Sequence, residues 1–240
     1  MKKDKVNKVE GVEYIEDGKT LLRVPDEDCL VDVKIMDGVE ELVPYSLSNC
    51  DCLTSVTIPD SVTRIGEGAF LGCDSLKAVT IPDGVTEVED LTFIDCSALE
   101  SVTIPDGVTR IGDSAFTGCH RLKSVTIPDS VTEIGEDAFR GCDSLETVTI
   151  PGSVTSIGDG AFRSCRGLKS VTIQSGVTEI GYESFRDCTR LTSVTIPDGV
   201  TEIGGGAFRN CASLRTLDVP DSVTEIGDYA FYMCPASDQW

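Results

Sequence analysis

The segment at residues 122–144, LKSVTIPDSVTEIGEDAFRGCDS, decides the fold of this 240-residue chain, because it recurs with small changes along most of its length. Leucine returns every 23 residues, all eight phenylalanines lie on a second such series, and nine of the eleven cysteines lie on a third. A fixed period of about 20 to 50 residues is typical of stacked-repeat proteins. The three series are Leu53, Leu76, Leu99, Leu122, Leu145, Leu168, Leu191 and Leu214; Phe70, Phe93, Phe116, Phe139, Phe162, Phe185, Phe208 and Phe231; and Cys50, Cys73, Cys96, Cys119, Cys142, Cys165, Cys188, Cys211 and Cys234.

The first half of each unit reads as a strand followed by a turn. In the unit that begins at Leu53, Val56 and Ile58 alternate with Ser55 and Thr57. This period of two indicates a strand with one buried face. The following Pro-Asp pair predicts a turn, since proline fixes φ and aspartate bonds its own backbone. Stacked units then form a parallel sheet, and the chain is predicted to be a mainly β repeat solenoid.

The second half of each unit predicts a short second strand and a short helical or 3₁₀ turn. Residues 62–66 form the second extended piece, and Gly66 permits a bend without strain at Cβ. Residues 67–73 then make one or two helical or 3₁₀ turns, which place Phe70 and Cys73 in the interior. An isolated unit is too small to be stable, so the stability of the array depends on contacts between neighbouring units.

Three segments follow from this reading. Residues 1–29 form an N-terminal segment with a capping β-hairpin, because Asp17-Gly18 joins two apolar-alternating runs and Asp-Gly is a strong hairpin signal. Residues 30–236 form the solenoid, with one degenerate and eight clear 23-residue units. Residues 237–240 are a tail. The C-terminal edge is therefore left uncovered, closed by Trp240, or paired with another chain.

The composition narrows the class of partner. A formal charge of −21 and a pI of about 4.2 argue against nucleic acid or an anionic membrane, because phosphate-rich surfaces repel such a body. The basic N-terminus lacks the apolar run of a secretory signal, and no segment is long and apolar enough to cross a membrane. The protein is therefore expected inside the cell, or at the cell surface or secreted if a leader has been removed.

The cysteines are predicted to be reduced and buried. Nine of them share one register and an odd total leaves at least one unpaired, while cysteine packs as a small hydrophobic residue. Whether any form disulfides stays open. The chain has no C-x-x-C pair and only one histidine, His120, so neither a metal nor another cofactor is predicted.

The unit pattern L-x-x-V-x-I-P-x-x-V-x-x-I-G-x-x-A-F-x-x-C resembles the BspA-like, or Treponema pallidum-type, leucine-rich repeats. The resemblance covers residues 30–236, as in Leu122, Val125, Ile127, Gly135 and Phe139. It implies a curved leucine-rich-repeat solenoid with the parallel sheet on its concave side and, in many members, cell-surface adhesion or host binding. The adhesion role is implied by the resemblance alone, because a shared architecture does not fix function.

The outward strand positions are the first candidate binding site. They repeat as Ser-x-Thr with little variation, which suits a large or repetitive ligand, although serine and threonine are also ordinary solvent-facing strand residues. A flat ice-binding surface is disfavoured by the expected curvature. The candidate residues are Ser55, Thr57, Thr80, Ser101, Thr103, Ser124, Thr126, Thr149, Ser170, Thr172, Ser193 and Thr195.

A second candidate is a stripe of four arginines that directly follow phenylalanine. Stacked guanidinium groups could bind an anionic partner, or could pair with nearby carboxylates such as Asp137 and Asp159. The stripe comprises Arg140, Arg163, Arg186 and Arg209.

The residue pattern offers no catalytic constellation. There is no glycine-rich phosphate loop and no nucleophile motif beside the single histidine. The sequence therefore predicts a non-catalytic module that binds a protein or another macromolecule, with no nucleic acid and no membrane insertion. The alternative is a structural or self-assembling scaffold, natural or engineered, that forms a homo-oligomer through the C-terminal edge.

Overall fold

The computed structural model describes residues 6–9, 11–15, 18–24 and 30–235, and these form nineteen short strands. Asp17 of the expected turn and the expected tail at 237–240 lie outside the described residues. The strands are β1 (Val6–Val9), β2 (Val12–Ile15), β3 (Thr20–Arg23), β4 (Asp32–Lys34), β5 (Glu41–Leu42), β6 (Ser55–Thr57), β7 (Arg64–Ile65), β8 (Ala78–Thr80), β9 (Glu87–Val88), β10 (Ser101–Thr103), β11 (Arg110–Ile111), β12 (Glu133–Ile134), β13 (Thr147–Ile150), β14 (Ser156–Ile157), β15 (Ser170–Ile173), β16 (Glu179–Ile180), β17 (Ser193–Thr195), β18 (Glu202–Ile203) and β19 (Glu225–Ile226).

The repeat units stack as two rows of parallel strands, which we call ladders, so the predicted repeat solenoid is confirmed. The first ladder contains the paired groups β4–β6, β8–β10 and β13–β15–β17; in the unit at 122–144 it narrows to one bridge, between Ser101 and Ser124. The second ladder contains β5 and β7 in one sheet and β9, β11, β12, β14, β16, β18 and β19 in another. Pairing is in register with the repeat, as between Thr149 and Thr172, which are one unit apart.

The chain outside the strands forms hydrogen-bonded turns, and the prediction of helical or 3₁₀ turns at 67–73 is wrong. Phe70 N donates to Thr92 O of the next unit at 2.9 Å, whereas Leu71 N closes a local turn onto Gly68 O at 3.0 Å. A helix would use all of these donors within the segment. Two residues per unit also take a positive φ of 51–76°, which interrupts any helix.

The positive-φ residues form two columns along the stack. Only some of them are glycines, so the sequence did not reveal the columns. They are Tyr45, Gly68, Leu91, Ser114, Asp137, Gly160, Glu183, Gly206 and Tyr229 in the first, and Asn49, Gly72, Asp95, Gly118, Gly141, Ser164, Asp187, Asn210 and Met233 in the second.

The glycine that follows the second strand has a different role from the one predicted. Gly66 and Gly135 do not lie in the left-handed region. A Cβ at Gly66 would come within 2.6 Å of Pro44 N, and one at Gly135 within 2.7 Å of Asp113 N, both in the preceding unit. Glycine is therefore needed here because consecutive backbones approach closely, and not because the chain bends.

The interior is a set of continuous side-chain columns. Neighbouring phenylalanine rings from Phe70 to Phe231 stack with centroids 5.1–5.8 Å apart and planes within 10° of each other. The leucine column beside it is buried throughout. These contacts make one core, which grows with each added unit.

The cysteine column is a ladder of free thiols in the described chain, as the sequence predicts. Cys50 is half-buried and the other eight are buried. From Cys73 to Cys211, each thiol donates to a carbonyl of the preceding unit at 3.0–3.3 Å, as Cys96 Sγ does to Phe70 O, whereas Cys234 Sγ donates to Leu214 O of its own unit at 3.3 Å. Burial raises the pKa of the Cys119 thiol well above its usual range. Cys52, outside this register, is disulfide-bonded.

The two ends of the stack differ. At the N-terminal end, β1, β2 and β3 pair antiparallel, and β3 then pairs parallel with β5 through Leu21 and Leu42. At the other end, β19 is the outermost strand of its sheet. Ile226 there is 42% exposed, whereas Ile203 in the preceding unit is fully buried.

Candidate binding face

The predicted Ser-x-Thr positions lie together on the solvent side of the first ladder. We call the twelve predicted residues, Ser55, Thr57, Thr80, Ser101, Thr103, Ser124, Thr126, Thr149, Ser170, Thr172, Ser193 and Thr195, the hydroxyl face. All are exposed except Ser170, which is half-buried. Their neighbours Val79 and Ile81 point inward and are 4% and 2% exposed. The alternation that predicts the strand therefore also sets which side chains reach solvent.

The hydroxyl face is regular and polar. Parallel pairing aligns Ser170 with Ser193 and Thr172 with Thr195. The strands β4 and β6 pair in the same register, with Asp32 opposite Ser55 and Lys34 opposite Thr57. Large exposed hydrophobic side chains in the described chain lie elsewhere; they are Val31, Tyr45, Tyr182, Ile226, Tyr229, Tyr232 and Met233. The face thus presents rows of hydroxyl groups without an aromatic anchor.

A row of charged side chains borders the hydroxyl face, and the sequence interpretation missed it. It immediately precedes the first ladder strands, and we call it the charged row: Lys77, Glu100, Lys123, Glu146, Lys169, Thr192 and Arg215. Backbone hydrogen bonds link its consecutive members from Lys77 to Thr192, with N–O distances of 2.8–3.4 Å. The row could have been found in the sequence, because positive and negative side chains alternate at this position from one unit to the next.

Two ion pairs connect members of the charged row. Lys123 Nζ lies 2.6 Å from Glu100 Oε2, and Lys169 Nζ lies 2.8 Å from Glu146 Oε2. The hydrogen bond and charge of Lys123 lower the pKa of the Glu100 carboxyl, and Lys169 does the same for Glu146. Solvent-exposed pairs of this kind stabilise a protein little, so a ligand can replace them at small cost.

The arginine stripe is engaged with the protein's own carboxylates and an aromatic ring. Arg140 Nη1 lies 3.0 Å from Asp137 Oδ2. Arg163 and Arg186 both reach Glu183, whose side chain is only 7% exposed, at 3.0 and 2.5 Å. Arg209 lies over the ring of Tyr232, 5.5 Å from its centroid. These contacts favour the structural alternative for the stripe over an anion site.

The single histidine lies on an exposed turn. His120 Nδ1 is 2.9 Å from Gly141 O and 3.1 Å from Asp143 Oδ2. Within the described ranges, no group of three or more histidine, cysteine or acidic residues could hold a metal ion. A helix long and apolar enough to cross a membrane is likewise not found in the part of the chain that the structure describes.

Comparison with known proteins assigns the family. A model of the BspA-type leucine-rich repeat region matches residues 27–142 and 109–237, with six copies. The chain belongs to the BspA-type leucine-rich repeat family. The resemblance seen in the sequence is thereby confirmed. A search of curated proteins finds no match.

Solved leucine-rich repeat structures are similar over most of this BspA-type chain. The T. pallidum leucine-rich repeat protein is 29% identical with a TM-score of 0.67, covering 79% of this chain and 88% of that one. A leucine-rich cell-surface protein of Faecalibacterium prausnitzii is 26% identical with a TM-score of 0.53, covering 98% and 87%. The pneumococcal vaccine antigen PcpA, at 14% identity and a TM-score of 0.52, covers 95% and 78% and shares the fold.

Proposed function

We propose that this chain is a non-catalytic binding or adhesion module, and that the hydroxyl face with the charged row is its contact surface. The observation that carries the proposal is the regular exposure of the same polar side chains over successive units in register. Solenoids use extended surfaces of this kind to bind large ligands. The similarity to a cell-surface leucine-rich protein supports an adhesive role.

The test places a bulky charge on the proposed surface. The double variant Thr103→Glu/Thr149→Glu alters two exposed positions of the hydroxyl face, while Thr132→Glu/Thr178→Glu alters two exposed threonines beside the second ladder. Fluorescent beads coated with each protein are applied to a reconstituted basement-membrane matrix. We expect the first variant to lose most of the wild-type adhesion and the second to keep it. Equal adhesion of all three would contradict the choice of surface.

We further propose that the protein functions outside the cytoplasm. Cys52 is disulfide-bonded, and disulfides persist mainly in oxidising compartments. The ladder thiols suit such a compartment because burial and hydrogen bonding protect them from reaction. Protein isolated from its native host without reductant is denatured and alkylated, and we expect nine of the eleven cysteines to be labelled. Labelling of all eleven would contradict this location.

A second candidate function is assembly through the C-terminal edge. Ile226, Tyr229, Tyr232 and Met233 are 42–68% exposed there, on the side of the stack where β19 is outermost. Contiguous exposed apolar side chains mark interaction sites. Sedimentation over a hundredfold range of protein concentration tests this candidate, and the assembled fraction should increase with concentration. It should decrease in the variant Tyr232→Arg, which places at 232 the residue that occupies the same register at 209. A monomer throughout would remove this candidate.

A further inference from the structure

The cations of the charged row follow a period twice as long as the repeat. Lys77, Lys123, Lys169 and Arg215 are each 46 residues apart, and Glu100, Glu146 and Thr192 occupy the units between them. The backbone hydrogen bonds along the row stack Lys77, Lys123 and Lys169 in line. With neighbouring strands roughly 4.8 Å apart, successive cations recur about every 10 Å.

The hydroxyl face beside this row repeats at half that distance. Each unit adds one Ser-x-Thr rung, so hydroxyl groups recur at roughly the 4.8 Å strand spacing. This spacing is close to the length of one pyranose ring in an extended glycan, and two rings span the interval between cations. A ligand with one sugar per rung and one anionic group per disaccharide therefore matches both periods.

The chemistry of the surface favours a glycan over a folded protein. Protein interfaces are centred on buried aromatic and apolar anchors. In the described chain, the large exposed hydrophobic side chains lie off the first-ladder strands that carry the hydroxyl face. Hydroxyls and ammonium groups instead suit sugar hydroxyls and carboxylate or sulfate groups, which form charge-assisted hydrogen bonds with lysine.

The formal charge of −21 does not prevent such binding at physiological salt. Electrostatic interactions are screened beyond about 8 Å at 0.15 M, so nearby charges dominate the local potential. Many acidic side chains, such as Glu179, Glu202 and Glu225, lie on the second ladder and not on this one. A glycan with one charge per disaccharide also carries far less charge per length than the phosphate-rich partners excluded above.

We propose that the hydroxyl face and the charged row bind a linear acidic glycan that carries one carboxylate or sulfate on alternate sugars. Lys77, Lys123 and Lys169 receive the anionic groups, and the Ser-x-Thr rungs bond the hydroxyls between them. On binding, the ion pairs of Lys123 with Glu100 and of Lys169 with Glu146 break, and both lysines pair with the anionic groups of the ligand instead. This inference rests on the proposed function and specifies its ligand.

The experiment measures binding of three defined polysaccharides by biolayer interferometry at 0.15 M salt. Hyaluronan carries a carboxylate on alternate sugars, polygalacturonate carries one on every sugar, and dextran is neutral. We expect the wild-type protein to bind hyaluronan at least about tenfold more tightly than either of the others, since dextran offers the lysines no anionic group and the additional carboxylates of polygalacturonate would lie beside Glu100 and Glu146.

Three double variants use residues that the chain itself places at the same registers, which preserves the fold. Lys123→Thr/Lys169→Thr removes two cations and should weaken hyaluronan binding about tenfold. Glu100→Thr/Glu146→Thr removes the competing carboxylates and should strengthen it. Arg140→Thr/Arg209→Thr removes the same charge from the arginine stripe and should leave it unchanged.

Several outcomes overturn the inference. They are wild-type binding to hyaluronan no tighter than to dextran, equal binding of polygalacturonate, and an unchanged affinity of the double lysine variant. Loss of binding in the arginine-stripe variant alone would also overturn it, by moving the site. The adhesion test with glutamates on the hydroxyl face does not depend on the class of ligand, so a failure of the glycan inference is distinguishable from a failure of the proposed function.

Discussion

The phenylalanine column offers the sharpest test of the stacked core. Phe139 lies at its middle, fully buried, with ring centroids 5.1 Å from Phe116 and 5.2 Å from Phe162. Phe70 begins the column, also fully buried, with the ring of Phe93 at 5.2 Å as its partner along the stack. Substituting each by alanine therefore removes the same atoms from an interior and from a terminal position.

The expected loss of unfolding free energy in each variant follows from the burial of the side chain and from its contacts with neighbouring rings. Replacing a buried phenylalanine by alanine costs about 3–5 kcal/mol. Each stacked ring pair contributes about 0.5–1.5 kcal/mol beyond burial, so the loss of two pairs places Phe139→Ala near the top of that range or above it. Phe70→Ala loses one ring pair and should lower the free energy of unfolding by about 1 kcal/mol less than Phe139→Ala does. Phe139→Leu keeps most of the apolar volume and isolates the contribution of the rings.

The assay is urea unfolding followed by far-ultraviolet circular dichroism for the wild type and the three variants. The unfolding free energy should decrease in the order wild type, Phe139→Leu, Phe70→Ala, Phe139→Ala. A cost for Phe70→Ala equal to or greater than that for Phe139→Ala would refute the reasoning, because a continuous column requires interior positions to matter most. Indistinguishable leucine and alanine variants at 139 would refute the contribution of volume.

Three further predictions concern the thiols, the close-approach glycines and the buried carboxylate. Burial raises the pKa of several ladder thiols above their ordinary value of 9.0, so unfolding at alkaline pH releases protons from them. The free energy of unfolding measured in urea should therefore be constant at neutral pH and should fall as the pH rises above about 9. Gly135→Ala should lower the free energy of unfolding, measured by thermal melting, by about 2 kcal/mol or more, since its Cβ would lie 2.7 Å from a backbone atom of the preceding unit. The control Gly107→Ser, whose Cβ would lie 3.4 Å from its nearest neighbour, should leave the stability nearly unchanged. Glu183→Gln should lower the free energy of urea unfolding by about 1–3 kcal/mol, because it removes the buried negative charge that both Arg163 and Arg186 contact. The exposed control Glu136→Gln should lower it by under about 0.5 kcal/mol, and equal effects would contradict a buried ion pair.

Much of the candidate site could be predicted from the sequence, because its strand alternation is unambiguous. Ser101 and Thr103 flank Val102, and a period of two leaves a single choice of which side faces solvent once Leu99 is interior. The arginine stripe shows the limit of the same reasoning. Placing Arg163 on the surface required only the repeat, but finding that it reaches Glu183 in the next unit required coordinates.

The 23-residue period by itself determined the stacking register, the interior columns and the exposed hydroxyl face, since one repeated pattern of burial has one consistent way to stack. The tertiary structure decided the rest. It replaced the expected helical turns by turns that bond alternately within a unit and across to the next, as at Phe70 and Leu71. It also separated disulfide-bonded Cys52 from the buried thiols. The physical reason is that these features depend on partners a full unit away, whose positions no local propensity encodes.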